Sequence, residues 1–337
     1  MPIGGNVMEN VMVNWGFGHC ALFVKDYEKS IEFYTKTLGF KNKFSLYNND
    51  GKLWLTYIEF GKRLFLELYP IQEMKNIQIE ADRVTDFHPP EGLNIGHICL
   101  TVDSLKPVAL DLQSKGITLW SGPSYMGRKE KIPYEPHLCM DAAEIVYIDD
   151  PDGNSIEIMQ YTKDSPQVQE PSVDRINGVQ WGFGHCALFV KDYEKSMEFY
   201  TKILGFKNKF SLYNNAGDIW LTYVEFGKTK FIEIYPKKET KGIQIEEDRT
   251  TDFYPPEGKN IGHICLTVDN LMPVARDLQG KGVTLWSGPS YMGRKEKNPY
   301  EPHLYMDAAE IFYIDDPDGN SIEVMQYTKD SPQLKEL

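Results

Sequence analysis

The chain has 337 residues, 41% of them apolar and 25% charged, which is the balance of a soluble globular protein with length for about two domains. Its formal net charge of -13 is spread along the whole chain and not gathered in a tail. That argues against nucleic acid or an anionic membrane as partner, because both reward clustered Lys and Arg. The opening MPIGGNVMENVMVN has no secretory pattern, no apolar run approaches the ~20 residues of a bilayer span, and the five cysteines form no CxxC pair. A reducing cytoplasm and a small-molecule partner are therefore expected, and neither a disulfide framework nor a thiolate zinc site is.

The stretch WGFGHCALFVKDYEKS begins at Trp15 and again at Trp181, and His97, Pro151 and Gln160 recur as His263, Pro317 and Gln326. The offset is 166 each time, so the chain is a tandem duplication without insertions. The copies span 1–161 and 181–327. Thr162–Gln180, polar and holding two prolines, reads as a linker, and 328–337 as a C-terminal tail.

Each copy divides again. In the first half of copy one (about 15–70), GHCALFVKD is a strand and Asp26 caps the helix YEKSIEFYTKTL, with Gly39 as its C-cap. Strands KNKFSLY, LWLTYIEF and RLFLELY follow, the first two joined by the hairpin signal Asn48-Asn49-Asp50-Gly51. The second half (about 94–161) repeats the order: strand NIGHICLTVD, a helix SLKPVALDLQSK capped by Asp103 with Pro107 in its first turn, then strands ITLWSG, EIVYID and SIEIMQY. Copy two has matching units at about 181–236 and 260–327. The expected fold class is α+β, with four βαβββ units.

In every unit a histidine opens the first strand and a glutamate lies in the fourth: His19 with Glu67, His97 with Glu157, His185 with Glu233, and His263 with Glu323. Side chains alternate along a strand, so His19, Ala21 and Phe23 share one face and Cys20, Leu22 and Val24 the other. The all-apolar Leu22 and Val24 row suits the face covered by the helix, which leaves His19 on the concave side. The same alternation separates Phe65, Glu67 and Tyr69 from Leu64, Leu66 and Leu68. Two imidazoles and two carboxylates make a mixed N/O set suited to Zn, Ni, Co, Mn or Fe(II), with positions open for substrate, and up to two ions per chain.

The openings GHCALFV and GHICLTV, the helix EKSIEFYTKTLGF and the closing DDPDGNSIEIMQ resemble the vicinal oxygen chelate superfamily, which includes glyoxalase I, epimerases, fosfomycin-modifying enzymes and extradiol dioxygenases. The resemblance covers nearly the whole chain and implies two cupped sheets, each built by two units around one metal. It places His19, Glu67, His97, Glu157, His185, Glu233, His263 and Glu323 on the family's ligand positions. It leaves open whether the units of one copy share a cup or whether the copies exchange, so that His19 and Glu67 join His263 and Glu323. A Glu at the second ligand place fits the glyoxalase and epimerase branch.

A divalent ion with open positions can bind two neighbouring oxygens of a substrate and stabilise an enediolate formed when the α-proton leaves. In the glyoxalase branch a metal-site glutamate moves that proton. Glu157 and Glu323 are therefore the candidate bases, with Glu67 and Glu233 as second choice, and the expected activity is that of an isomerase, epimerase or lyase on a small oxygen-rich metabolite. An extradiol ring-cleaving dioxygenase and a non-catalytic metabolite- or drug-binding protein are the alternatives, and a monomer or homodimer is expected. In the loop GPSYMGRKEKIPYEPHLCMDAAE, Arg128, Lys129 and Lys131 offer charge for an anionic substrate and Tyr125, Tyr134 and His137 could line the mouth. His137 and its counterpart His303 are candidate auxiliary acid–base groups. A second loop, ADRVTDFHPPEG, shapes the rim; its His88 becomes Tyr254 in copy two, which speaks against an essential role. Cys99 and Cys265 share a face with His97 and His263 and read as small buried residues.

Overall fold

The computed structural model describes residues 13–80, 83–88, 95–168, 174–176, 179–247, 249–254 and 261–335. Unit one comprises β1 (Gly16–Val24), α1 (Tyr27–Glu32), β2 (Lys41–Tyr47), β3 (Leu53–Gly61) and β4 (Leu64–Pro70), followed by a hairpin of β5 (Met74–Glu80) and β6 (Arg83–Phe87). Unit two comprises β7 (Ile95–Val102), α2 (Leu105–Ser114), β8 (Glu144–Asp149) and β9 (Ser155–Gln160), and a short β10 (Asp174–Ile176) follows it. Copy two repeats this plan. Its first unit has β11 (Val179–Val190), α3 (Tyr193–Glu198), β12 (Lys207–Tyr213), β13 (Ile219–Gly227) and β14 (Lys230–Pro236), with the hairpin β15 (Thr240–Glu246) and β16 (Arg249–Phe253). Its second has β17 (Ile261–Thr267), α4 (Leu271–Gly280), β18 (Glu310–Asp315) and β19 (Ser321–Gln326).

The helix signals act largely as their sequences dictate. Asp26 accepts from the Lys29 N–H at 3.2 Å, and Gly39 and Gly116 hold the positive φ that ends each helix. One cap differs from expectation. Ser104, not Asp103, is the N-cap of α2 and makes no side-chain cap bond, while Gln160 Oε1 accepts from the Leu105 N–H at 2.7 Å. The expected strand ITLWSG is also reduced, because Trp120 alone pairs there, bridging Tyr147 and Glu130. The chain turns away to Tyr125 and the long rim loop before the next strand can align.

The strands form two large sheets, and each takes one unit from each copy. One runs β18-β19-β17-β1-β4-β3-β2 and the other β12-β13-β14-β11-β7-β9-β8. The joins are antiparallel, with His19 opposite Cys265 and His185 opposite Cys99. The copies therefore exchange units. Leu22 and Val24, with Leu188 and Val190, lie in a single apolar cluster with residues of all four helices, so the convex faces of both sheets share one core. At its centre Phe17 stacks on Phe183 with ring centroids 3.6 Å apart. The concave faces carry separate clusters, where Ala21, Phe23, Phe65 and Tyr69 gather with residues of unit four.

The expected linker and tail are partly structured. TKDSPQ occurs at Thr162–Gln167 and again at Thr328–Gln333, and in both places the Ser and the Gln are buried. Beyond the first, β10 pairs with the start of β11. Of the rim loop of unit one, 81–82 and 89–92 lie outside the described residues, and Arg83–Phe87 form the second strand of the β5–β6 hairpin. It clasps unit four through Arg83, which donates to the Gly293 carbonyl at 2.9 Å, and through a 2.6 Å ion pair between Lys297 and Glu80.

Candidate metal centres

Four adjacent strands each bring one side chain to the base of a cup. In the first sheet the order β19, β17, β1, β4 carries Glu323, His263, His19 and Glu67; in the second, β9, β7, β11, β14 carries Glu157, His97, His185 and Glu233. Alternation puts every one of them on the concave face, and all eight are buried. In the first cup His19 Nε2 lies 3.0 Å from His263 Nε2 and 3.2 Å from Oε2 of both Glu67 and Glu323. His263 Nε2 is 3.5 Å from Glu67 and 3.0 Å from Glu323. The second cup repeats this: His97 and His185 are 3.1 Å apart, Glu157 lies 3.3 and 2.9 Å from them, and Glu233 3.5 and 3.2 Å.

These separations bear on a metal. Ligand atoms about 2.0–2.1 Å from one ion stand about 2.9–3.4 Å from one another, whether the angles are octahedral or tetrahedral. The His–His and His–Glu separations of 2.9–3.5 Å are those of donors to a single divalent ion, and His19, Glu67 and His263 in one cup and His97, Glu157 and His185 in the other each converge as a set able to hold one. Each centre so drawn pairs ligands from both copies, as the exchange of units requires.

The surrounding polar groups orient the set. Tyr125 OH is hydrogen-bonded to His97 Nδ1, and Tyr291 OH to His263 Nδ1, which leaves each Nε2 for the centre. Nδ1 of His19 and of His185 is buried without a partner among the described residues. Tyr69 donates to Glu67 at 2.9 Å, Tyr235 to Glu233 at 3.0 Å, and Tyr313 to Glu323 at 2.8 Å. A glycine precedes every one of the four histidines, and at Gly96 the reason is steric: a Cβ there would meet the Phe189 ring at 2.3 Å and Tyr125 OH at 3.0 Å.

At His19, His185, Glu157 and Glu323 burial opposes charge, and the attraction of the opposite charges outweighs it. Desolvation lowers the His185 imidazole, but Glu233 and Glu157 raise it further, so the net shift is upward; His19 behaves alike with Glu67 and Glu323. Desolvation likewise pushes up the carboxyls of Glu157 and Glu323, yet the paired histidines hold both well below the usual carboxylate range.

Each cup holds a third carboxylate that sequence reading missed. Asp307 accepts from Tyr57 OH at 3.2 Å and from the Gln333 amide; Asp141 accepts from Tyr223 OH at 3.2 Å and from Gln167. Burial raises both carboxyls to about 6. The signal that could have found them is the TKDSPQ repeat, whose identity in both copies goes beyond what a linker or a tail needs.

Residues 16–158 and 182–324 each match the model of the Glyoxalase/Bleomycin resistance protein/Dioxygenase superfamily. The chain belongs to that superfamily. It is a tandemly duplicated, glyoxalase-type enzyme. It is 23% identical over 336 residues to "Glyoxalase I" of Saccharomyces cerevisiae, covering 92% of this chain and 91% of that one. It is 27% identical to "Lactoylglutathione lyase" of Schizosaccharomyces pombe, over 81% and 88%. "Lactoylglutathione lyase" of Escherichia coli O157:H7 is 29% identical and spans 42% of this chain with 90% of its own length, as a single copy would. Among solved structures, glyoxalase I from Zea mays superposes with a TM-score of 0.57 at 18% identity over 93% of both chains. A putative dioxygenase from Bacillus subtilis reaches 0.59 at 13% identity, over 96% and 91%. These two likenesses show the fold.

Within this glyoxalase-type frame the rim residues take other places than expected. His137 is half-buried in a cleft with Lys129, Glu135, Glu246 and Arg249, and His303 is half-buried on the matching loop; among the described residues neither is bonded to the clustered His and Glu side chains. The same loops carry Tyr125 and Asp141, and Tyr291 and Asp307, into the cups. Arg128 is engaged by Asp149 at 2.9 and 2.6 Å and lies over the Trp120 ring, and Lys131 is buried against Glu246 at 3.0 Å. Both are thereby committed inside the chain. Tyr134 belongs to the core behind the sheet, while Tyr125 stands at the ligand His97 rather than at the mouth. His88 is exposed and paired with Glu73. Cys99 and Cys265 are buried in the cups, and burial raises both thiols.

Proposed function

We propose that the chain is a divalent-metal-dependent lyase or isomerase that moves a proton between neighbouring carbons of a small substrate bearing two adjacent oxygens. The observation that carries this reading is the convergence of two Nε2 and two Oε2 atoms at the base of each cup, in both copies alike. His19, Glu67, His263 and Glu323 would hold one ion, and His97, Glu157, His185 and Glu233 the other. When bound, such an ion polarises the two substrate oxygens and acidifies the C–H between them.

The chain's own residues supply the rest. Glu323 and Glu157, kept ionised by their histidines, are the proposed bases, with Glu67 and Glu233 as the second choice. The tyrosines bonded to Glu67, Glu233 and Glu323 and to Nδ1 of His97 and His263 fix their orientation, and the aromatic walls exclude water. The names of the curated relatives, glyoxalase I and lactoylglutathione lyase, support a lyase over a ring-cleaving dioxygenase. Both halves of each centre come from one chain, so a monomer suffices for both sites.

Metal analysis of the purified protein, together with turnover of a methylglyoxal–thiol hemithioacetal before and after chelation, tests this. The expected result is two ions per chain and an isomerisation that stops on chelation and consumes no oxygen. A metal-free chain, or oxygen uptake with a catechol, would overturn it.

A further inference from the structure

The metal centres of the two cups match, but their walls differ at one position. Tyr305 stands in the first cup, and Cys139 occupies the equivalent place, 166 residues earlier, in the second. Hydrogen bonding and packing both show that the lost phenol has not been replaced. In the first cup Trp54 Nε1 donates to Tyr305 OH at 3.3 Å. In the second, the equivalent Trp220 is 5% exposed and its Nε1 has no hydrogen-bond partner among the described residues. A buried N–H without an acceptor is unfavourable and is met seldom in native structures.

Packing around the two indoles differs as well. Trp54 meets both Tyr69 and Phe87 edge-on with centroids 4.9 Å away, whereas Trp220 stands 5.8 Å from Tyr235. The apolar residues of the first cup form one continuous cluster that includes Tyr305. Those of the second fall into two: Trp220, Tyr223 and Phe231 on the unit-three side, and Cys99, Ala143 and Tyr147 on the unit-two side with Cys139 against them. The missing ring is what would have joined them.

We propose that this break is a subsite for an aryl group carrying an oxygen acceptor, so that the second cup takes a hydroxyaryl-bearing substrate and the first does not. The ligand's ring fills the place of the Tyr305 ring and its oxygen accepts from Trp220 Nε1. Position 139/305 is then specificity-determining. Cys139 itself acts as a small wall residue, since burial and the charge of Asp141 keep its thiol protonated. The idea that the two cups turn over different substrates rests on the metal-dependent reading above, but the subsite can be tested without metal.

p-Cresol is the side chain that position 139 lacks. Calorimetric titration of the full chain, with and without metal, is expected to give one equivalent for the wild type, none for Cys139→Tyr and two for Tyr305→Cys. Toluene, which has no oxygen, should bind the wild type at least about threefold more weakly, and Trp220→Phe should bring p-cresol down to the toluene value. Wild-type binding undiminished in Cys139→Tyr, equal binding of p-cresol and toluene, or no p-cresol binding to the wild type would each overturn the proposal. If Cys139→Tyr fails to fold, Tyr305→Cys decides, because a single equivalent there also overturns it. Failure of the metal reading alone would leave p-cresol binding intact in metal-free protein.

Discussion

The indole of Trp54 has a phenol to bond to, and the matching indole of Trp220 has none, although the ligands beneath them are arranged almost identically. The contrast shows which parts of a duplicated site tolerate drift. Donor atoms that must meet within about 3.4 Å cannot change independently, whereas a wall residue can shrink if a ligand or looser packing accommodates the space. The oriented tyrosines and the buried Asp–Gln pairs are kept in both cups and so behave like the ligands; the position held by Tyr305 and Cys139 does not.

The sharpest way to break the comparison uses the exchange of units. His19→Ala with His263→Ala should remove one metal equivalent per chain, while His19→Ala with His97→Ala should remove both. Equal losses from the two double variants would mean that these histidines are not grouped by cup as the strands group them.

A second test concerns Asp307 and Asp141. Their carboxyls are raised from 3.8 to about 6 by burial, so the folded state holds their protons more tightly than the unfolded one. Each should therefore cost stability as pH rises from about 4 to about 6, on the order of 3 kcal/mol per group in metal-free protein. Asp307→Asn and Asp141→Asn should each flatten that decline in denaturant melts measured across this range. A profile unchanged by both substitutions would show that these carboxylates ionise freely.

A smaller effect is expected at the tyrosines. Tyr291→Phe and Tyr125→Phe each remove the hydrogen bond to one histidine Nδ1 and should weaken metal binding about 10- to 100-fold in their own cup only. Competition with a chromophoric chelator measures this cup by cup, and equal weakening of both sites would contradict the separation of the centres.

Much of this was legible in the sequence. The strands around His19, Glu67, His97 and Glu157 lie within a residue or two of their predicted bounds, because period-two alternation and turn residues are local signals. The concave placement of all eight candidate ligands follows from the same alternation. Less legible were the partners that arrive from far away in the chain. Trp120 was expected in a full strand but pairs alone, since the rim loop diverts the chain. Gln167 and Gln333 lay in segments read as linker and tail, and their bonds to Asp141 and Asp307 span 26 residues. His137 and His303 carry suitable chemistry, yet His137 lines a cleft with Lys129, Glu135, Glu246 and Arg249.

The sequence by itself determined four repeating units that each open on a strand and a helix, their duplication, and which side chains face the concave side, because each depends on neighbours a few residues away. Only the tertiary structure decided that unit one pairs with unit four and unit two with unit three. Either pairing buries the same apolar faces and offers the same ligand types. The choice is made where β1 meets β17 and β7 meets β11 and where Phe17 stacks on Phe183, contacts between distant segments whose registers no local pattern specifies.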